Sequence, residues 1–247
     1  MTRTPRPPAL VAVAHGSRDP RALHTVSALL DRVRPLRPGL DVHLGHIELN
    51  APLLPDTLTA LGDRPAVLVP LLLSRGHHVT HDIPAAAGGR FPVAAPLGPH
   101  PLLAHALHDR LREAGWDGRT PVVLAAAGSR DPDALVDTTR MASLLATRLR
   151  VPVRPATPAT LQQTLTTLHS EDGPPAIASY FTAPGRFATQ TAALAPSIAT
   201  APLGAHPAMA TLILQRYDQG TSLRGAGNCA TSHNAPAPAT QQVKAHA

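Results

Sequence analysis

The 247-residue chain has one cysteine, Cys229. A lone thiol can close no disulfide within the chain, and it excludes a thiolate zinc site or an iron–sulfur cluster held by this chain alone. Aromatic residues are nearly as scarce, with one tryptophan, two tyrosines and three phenylalanines. Almost no platform is left on which unstacked bases could lie, and the arginines are scattered rather than gathered in a stripe, so a nucleic-acid partner is not expected. No apolar run comes near the roughly 18 residues of a membrane span. The short apolar stretch ALVAVA at 9–14, after a basic start, is too brief for the core of a signal peptide. The chain is therefore expected to be cytoplasmic, with no membrane association. No GxxxxGK[ST] loop is present, which argues against chemistry driven by ATP.

Histidine, proline and positive charge are abundant. The net charge is +6, from 22 basic against 16 acidic residues, and nearly all the cations are arginine. A planar guanidinium fork suits carboxylate or phosphate, so a small polyanion is the natural ligand class. Fourteen histidines point to metal or proton chemistry.

An internal repeat organises the chain. HGSRDPRAL at 15–23 returns as AGSRDPDAL at 127–135, TLTAL at 57–61 as TLTTL at 164–168, and APLGPHP at 95–101 as APLGAHP at 201–207. Three matches in one order indicate duplicated domains. The glycine-rich AGWDGRT places the boundary near 115–119, giving domains at 1–117 and 118–218. From 219 to 247 the chain is polar and rich in Ala, Gly and Pro, so this tail is expected to be disordered and dispensable. Within the first half, ALVAVA (9–14), VHLGHIEL (42–49), AVLVPLLL (66–73) and FPVAAPL (91–97) read as strands. Helical spacing fills 20–35, 52–61, 81–88 and 101–114. The second half repeats this with strands at 122–127, 151–156, 176–181 and 197–203. The fold class is thus α/β, two tandem doubly wound parallel-sheet domains related by internal duplication.

In such sheets ligands sit beyond the carboxyl ends of the strands. His15 follows the first strand, Glu48 closes the second, and the loop after the third is SRGHHVTHD, with His77, His78 and His81 as competing candidates. At the aligned positions the second half carries Ala127, Pro155 and Phe187, so the scaffold is repeated and the ionisable groups are not. Ser17 and Asp19 suit a helix cap. His100 and His206 recur in both halves and read as structural, whereas His24, His43, His46, His105 and His108 read as surface or structural residues.

HGSRDPRA after a first strand, an acidic residue closing the second, GHHVTHDIP after the third and APLGPHP before a helix together resemble the sirohydrochlorin chelatases and related cobaltochelatases of the class II chelatase fold, over about 9–217. The resemblance implies insertion of Fe²⁺ or Co²⁺ into sirohydrochlorin without ATP. It puts the two histidines of the reaction at His15 and His78 and an assisting carboxylate at Glu48, the three acting both as catalytic groups and as ligands of the substrate metal. The substrate's ring of carboxylates would meet Arg18 and Arg75 beside Ser17, whereas Arg130 and Arg186, at equivalent strand ends, read as solvated. No tightly bound cofactor is expected, the chain is expected to be a monomer, and one active site would lie between the halves. A non-catalytic carrier of metal or tetrapyrrole using the same cleft is the alternative.

Overall fold

The computed structural model describes residues 6–169, 173–195 and 198–231, with 223–231 described as backbone alone. The first half opens with β1 (Ala9–Ala14), buried along its whole length, then α1 (Pro20–Leu36), β2 (Val42–His46), α2 (Leu54–Leu61) and β3 (Ala66–Pro70). A π-helical turn over His78–Asp82 runs into α3 (Ile83–Ala87), and α4 (Pro101–Glu113) closes the half. The second half follows with β4 (Val122–Ala125), α5 (Pro132–Leu149), β5 (Val153–Ala156), α6 (Leu161–Thr167), β6 (Ala176–Ser179), α7 (Arg186–Ala193) and α8 (Pro207–Thr231). The strands pair in parallel in the orders β2-β1-β3 and β5-β4-β6. Helices cover both faces of each sheet, as the alternating pattern requires.

The repeated motifs are helix starts. In GSRDP the aspartate is the N-cap: Asp19 accepts from Arg21 N and Asp131 from Asp133 N, each followed by a proline in the first turn. The serine of each copy accepts in turn from the aspartate N–H. In APLGxHP the histidine does the capping, His100 Nδ1 accepting from Leu102 N and His206 Nδ1 from Ala208 N. Burial holds both imidazoles below the ordinary histidine pKa, helped by Arg216 at His100 and by Arg110 at His206, which keeps the capping nitrogen unprotonated. The structural role expected for these two residues is what they perform.

The structure corrects the sequence pattern in three places. FPVAAPL and SIATAPL form no further strands among the described residues, only the isolated bridges Leu68↔Val93 and Ile177↔Ala199. Pro92, Pro96 and Pro202 lack the N–H that a ladder needs.

Secondly, the domain limits 1–117 and 118–218 do not separate two self-contained bodies. α4 packs on α5 and β6 of the second half, while α8 packs back on α1 and β3 of the first. The two closing helices are exchanged. One apolar core therefore runs from Leu10 and Val67 through Leu107 and Ile213 to Leu124 and Met141. Polar ties reinforce it: Tyr180 Oη donates to Leu73 O (2.8 Å), and Thr182 Oγ1 to Leu71 O (2.9 Å). At Gly98 any Cβ would collide with that same tyrosine hydroxyl and with Leu73 O.

Thirdly, the tail does not begin at 219. α8 continues to Thr231, Gly220 is buried, and a Cβ there would strike Val67 of β3. Residues 232–247 lie outside those described. The helix is fastened before this point by Tyr217 Oη donating to Pro8 O (2.7 Å) and by the Arg37–Asp218 ion pair. Ending the chain at Gln219 keeps these ties but removes Gly220 from its seat against Val67, and is expected to lower the unfolding temperature, by about 2–4 °C for each kcal/mol lost in a chain of this size. Thermal unfolding of the truncated protein checks this, and an unchanged midpoint would restore the dispensable tail.

Candidate active site

A cleft of about 1330 Å³ lies at the carboxyl ends of both sheets and is walled by both halves. Its first-half floor is built by backbone. Ile47 N donates to Ala14 O (2.9 Å) and Glu48 N to His15 O (3.0 Å), extending the β1–β2 pairing past the strands and setting His15 beside Glu48. Gly16 at φ +100° passes so close to the Glu48 carbonyl that a Cβ would overlap it. Leu49 adopts the left-handed conformation, φ +66°, and Asn50 Oδ1 accepts from Ser17 N (2.7 Å), locking the two loops together.

His15 Nδ1 lies 3.6 Å from Glu48 Oε1 and 3.3 Å from Gly16 O. The His78 ring stands edge-on to it, with centroids 4.7 Å apart. His78 opens the π-helical turn, and its Nδ1 meets Asp82 Oδ2 at 2.6 Å. Since Nδ1 of each imidazole faces an oxygen, the ring proton belongs there. The Nε2 lone pairs are left for an incoming electrophile. Among the described residues no three His, Cys, Asp or Glu side chains form a ready-made metal cage.

The loop histidines divide. His78 is the one set against His15, whereas His77 is 71% exposed and stacks on His81 with centroids 4.7 Å apart. Asp82 was not among the sequence candidates, yet it orients His78 and lies 3.5 Å from His77 Nε2. The available signal was a carboxylate four residues after a histidine in helical register. Asn50 likewise went unread, because its role depends on a contact across 33 residues.

Arg75 is a correction. Its guanidinium is engaged by Asp137 (2.8 Å) and Asp133 (3.0 Å), and its backbone N–H by Asp137 (2.8 Å), all from α5. Burial alone would push the Asp137 carboxyl up, but hydrogen bonds and charge from Arg75 outweigh it and hold it below the ordinary carboxylate range. Arg75 thus clamps the halves together instead of offering a free fork to a ligand. Ser17 shapes the cleft wall through its bond to Asp19 N. Arg18 lines the cleft and has no side-chain partner among the described residues.

The second half faces the same cleft with Ala127 at the His15 position and Phe187 at the His78 position. Pro155 is not the counterpart of Glu48, because it lies inside β5 opposite Leu124. With Gly45 beside Val13 and Ala156 beside Ala125, Thr157 answers to His46, and the loop 157–160 is shorter than the 47–53 loop that carries Glu48. Glu48 has no counterpart because the equivalent loop is shortened. The π-helical turn is missing too, α7 being a regular helix from Arg186.

The CbiX family profile matches residues 9–114. The sirohydrochlorin cobaltochelatase of Methanococcus aeolicus is 32% identical over 83 residues, 32% of this chain and 58% of that protein. The sirohydrochlorin ferrochelatase of Bacillus subtilis is 30% identical over 165 residues, 62% of this chain and 62% of that protein. The first half of the chain is thus similar in sequence to the sirohydrochlorin chelatases. The stretches matched thus span about 60% of those two relatives' own lengths. The likeness in fold extends over both halves: SirB, the sirohydrochlorin chelatase of Bacillus subtilis subspecies spizizenii in complex with cobalt, superposes with a TM-score of 0.71 at 24% identity, covering 88% of this chain and 97% of that one. SirB from Bacillus subtilis with Fe³⁺ gives 0.72 at 23% identity. The CbiX profile covers the half that holds His15, Glu48 and His78, and it ends at the C-cap of α4. No helix among the described residues is long and apolar enough to cross a membrane.

Proposed function

We propose that the chain inserts a divalent metal, Fe²⁺ or Co²⁺, into sirohydrochlorin without ATP, as a lyase with one active site per chain. The observation that carries this reading is the juxtaposition of two imidazoles and a carboxylate on the floor of a cleft larger than the 300–1,000 Å³ usual for small-molecule pockets. His15 and His78 present Nε2 to the metal, nitrogen being a fitting donor for Fe²⁺ and Co²⁺. As the metal passes to the macrocycle nitrogens, two pyrrole N–H protons must leave. Glu48, half exposed and beside His15, can accept a proton and return it to solvent. Asp82 holds the His78 ring so that the lone pair stays aimed at the cleft. The arrangement favours turnover over storage, because two open-sided imidazoles release an ion more readily than a closed cage.

Anaerobic incubation of the protein with sirohydrochlorin and each metal, followed by the visible spectrum, tests the reading. Metal-dependent conversion at catalytic protein concentration supports it, and stoichiometric binding without turnover would make the protein a carrier. Glu48→Gln is expected to slow insertion by less than the roughly 10²-fold typical of losing a full acid–base group, and to leave tetrapyrrole binding unchanged. Weakened binding with full turnover would remove Glu48 from the chemistry.

A further inference from the structure

The register of the two sheets lets the halves be compared position by position. Pro70 lies beside Val13 in the first sheet and Ser179 beside Ala125 in the second. Counting forward, Gly76 answers to Gly185, His77 to Arg186 and His78 to Phe187. The correspondence also runs across the cleft. A Cβ on Gly185 would lie 3.4 Å from Ser17 Oγ, and one on Gly76 would lie 3.6 Å from Ser129 Oγ. Each half's glycine loop therefore touches the serine of the other's GSRDP turn, and the cleft is built with an approximate two-fold relation.

Within that frame the second half keeps the free arginine of the GSRDP turn, Arg130 matching Arg18, and adds Arg186 where the first half has His77. Its two GSRDP and glycine-loop cations, Arg130 and Arg186, line the cleft, and among the described residues neither has an ion-pair or side-chain hydrogen-bond partner. This differs from Arg75, whose donors are spoken for. Beside them stand large apolar side chains open to solvent, Phe187 at 42% exposure and Leu135 at 67%, both lining the cleft. Leu135 is the repeat partner of Leu23, which faces it from the first half, also exposed. Exposed leucine and phenylalanine flanked by unpaired guanidinium groups call for a ligand with a flat apolar body and an anionic rim.

We propose that the second half is the grip of the enzyme: Arg130 and Arg186 bind peripheral carboxylates of the tetrapyrrole while Phe187 and Leu135 support its ring, and this half selects macrocycles with many carboxylates. The inference rests on the chelatase reading, and it assigns recognition to the half that lacks the catalytic groups.

The test is equilibrium binding of metal-free sirohydrochlorin to the full-length chain, with no metal added, beside steady-state insertion. The double variant Arg130→Gln/Arg186→Gln is expected to raise the Kd by about tenfold or more, since charge-assisted guanidinium–carboxylate bonds are among the stronger polar contacts. It should leave kcat at saturating tetrapyrrole and the KM for metal unchanged. The salt dependence of binding should become shallower, and affinity for a porphyrin with only two carboxylates should change far less. Arg130→Lys/Arg186→Lys should recover part of the affinity, and Arg154→Gln, an exposed cation outside the cleft, should have no effect. An unchanged Kd in the double glutamine variant, or a loss of kcat with Kd intact, would overturn the proposal. Tight binding by the wild type with no metal insertion would sink the chelatase reading while leaving this grip standing, so the two can fail separately.

Discussion

Alanine at His15 or at His78 is expected to reduce metal insertion by about 10²-fold or more, the range typical of losing a positioned acid–base or ligand group. The two rings meet edge-on across the cleft floor, each with Nδ1 turned toward an oxygen and Nε2 open. Neither substitution removes a buried apolar side chain, so the far-ultraviolet spectrum and unfolding midpoint should stay close to those of the wild type. Loss of rate with an intact fold is the signature sought. His77→Ala is the internal control, because that ring stacks on His81 at the rim rather than on His15. Damage from His77→Ala together with a harmless His78→Ala would mean that the loop works in a different register from the one observed. A loss of tetrapyrrole affinity in place of rate would move both histidines from chemistry to recognition.

The second large effect is expected from dividing the chain. A fragment of residues 1–117 keeps β1, β2 and β3 but loses α8, which packs on α1 and β3, and it leaves α4 without α5 and β6. Val67 and Val69 on one side, and Leu103, Leu107 and Leu111 on α4, all buried in the whole chain, lose partners from the second half. At roughly 1.5–3 kcal/mol for each large apolar side chain returned to water, a few such losses are comparable with the ~5–15 kcal/mol that keeps an ordinary domain folded. The monomeric fragment should therefore show no cooperative unfolding transition, whereas co-expression with residues 118–247 should restore it. Sedimentation distinguishes the escape route, a fragment that folds only by pairing with a second copy. A monomer of 1–117 with a cooperative transition and full activity would overturn both the shared core and the single cleft between halves.

Much of this was legible in the sequence, for identifiable reasons. ALVAVA and AVLVP are fully buried strands, and continuous apolar runs between amphipathic segments have few other readings. Asp19 and Asp131 announced two helix starts because the cap and the proline after it are local chemistry. His15, Glu48 and His78 could be found because their half is ionisable where its repeat is not, and the structure brings those three together. What escaped depends on distance along the chain. The helical pattern of α4 and α8 says which face is buried but not which sheet it covers. Arg75 reads as a ligand contact until Asp137, 62 residues away, is seen to hold it. Gly220 reads as part of a polar, glycine-containing tail, yet it is the lack of a side chain that lets α8 lie against Val67.

The exchange of α4 and α8 also sets an order on synthesis. The first sheet leaves the ribosome well before α8, the helix that covers β3 and α1. Its apolar face must wait through the translation of the whole second half, whereas the second sheet is met by α4 already in hand. Domain-by-domain folding, the usual protection of a nascent two-domain chain against aggregation, is closed to this one. The same crossing that makes one cleft out of two copies leaves the half that holds His15, Glu48 and His78 to be completed after the second.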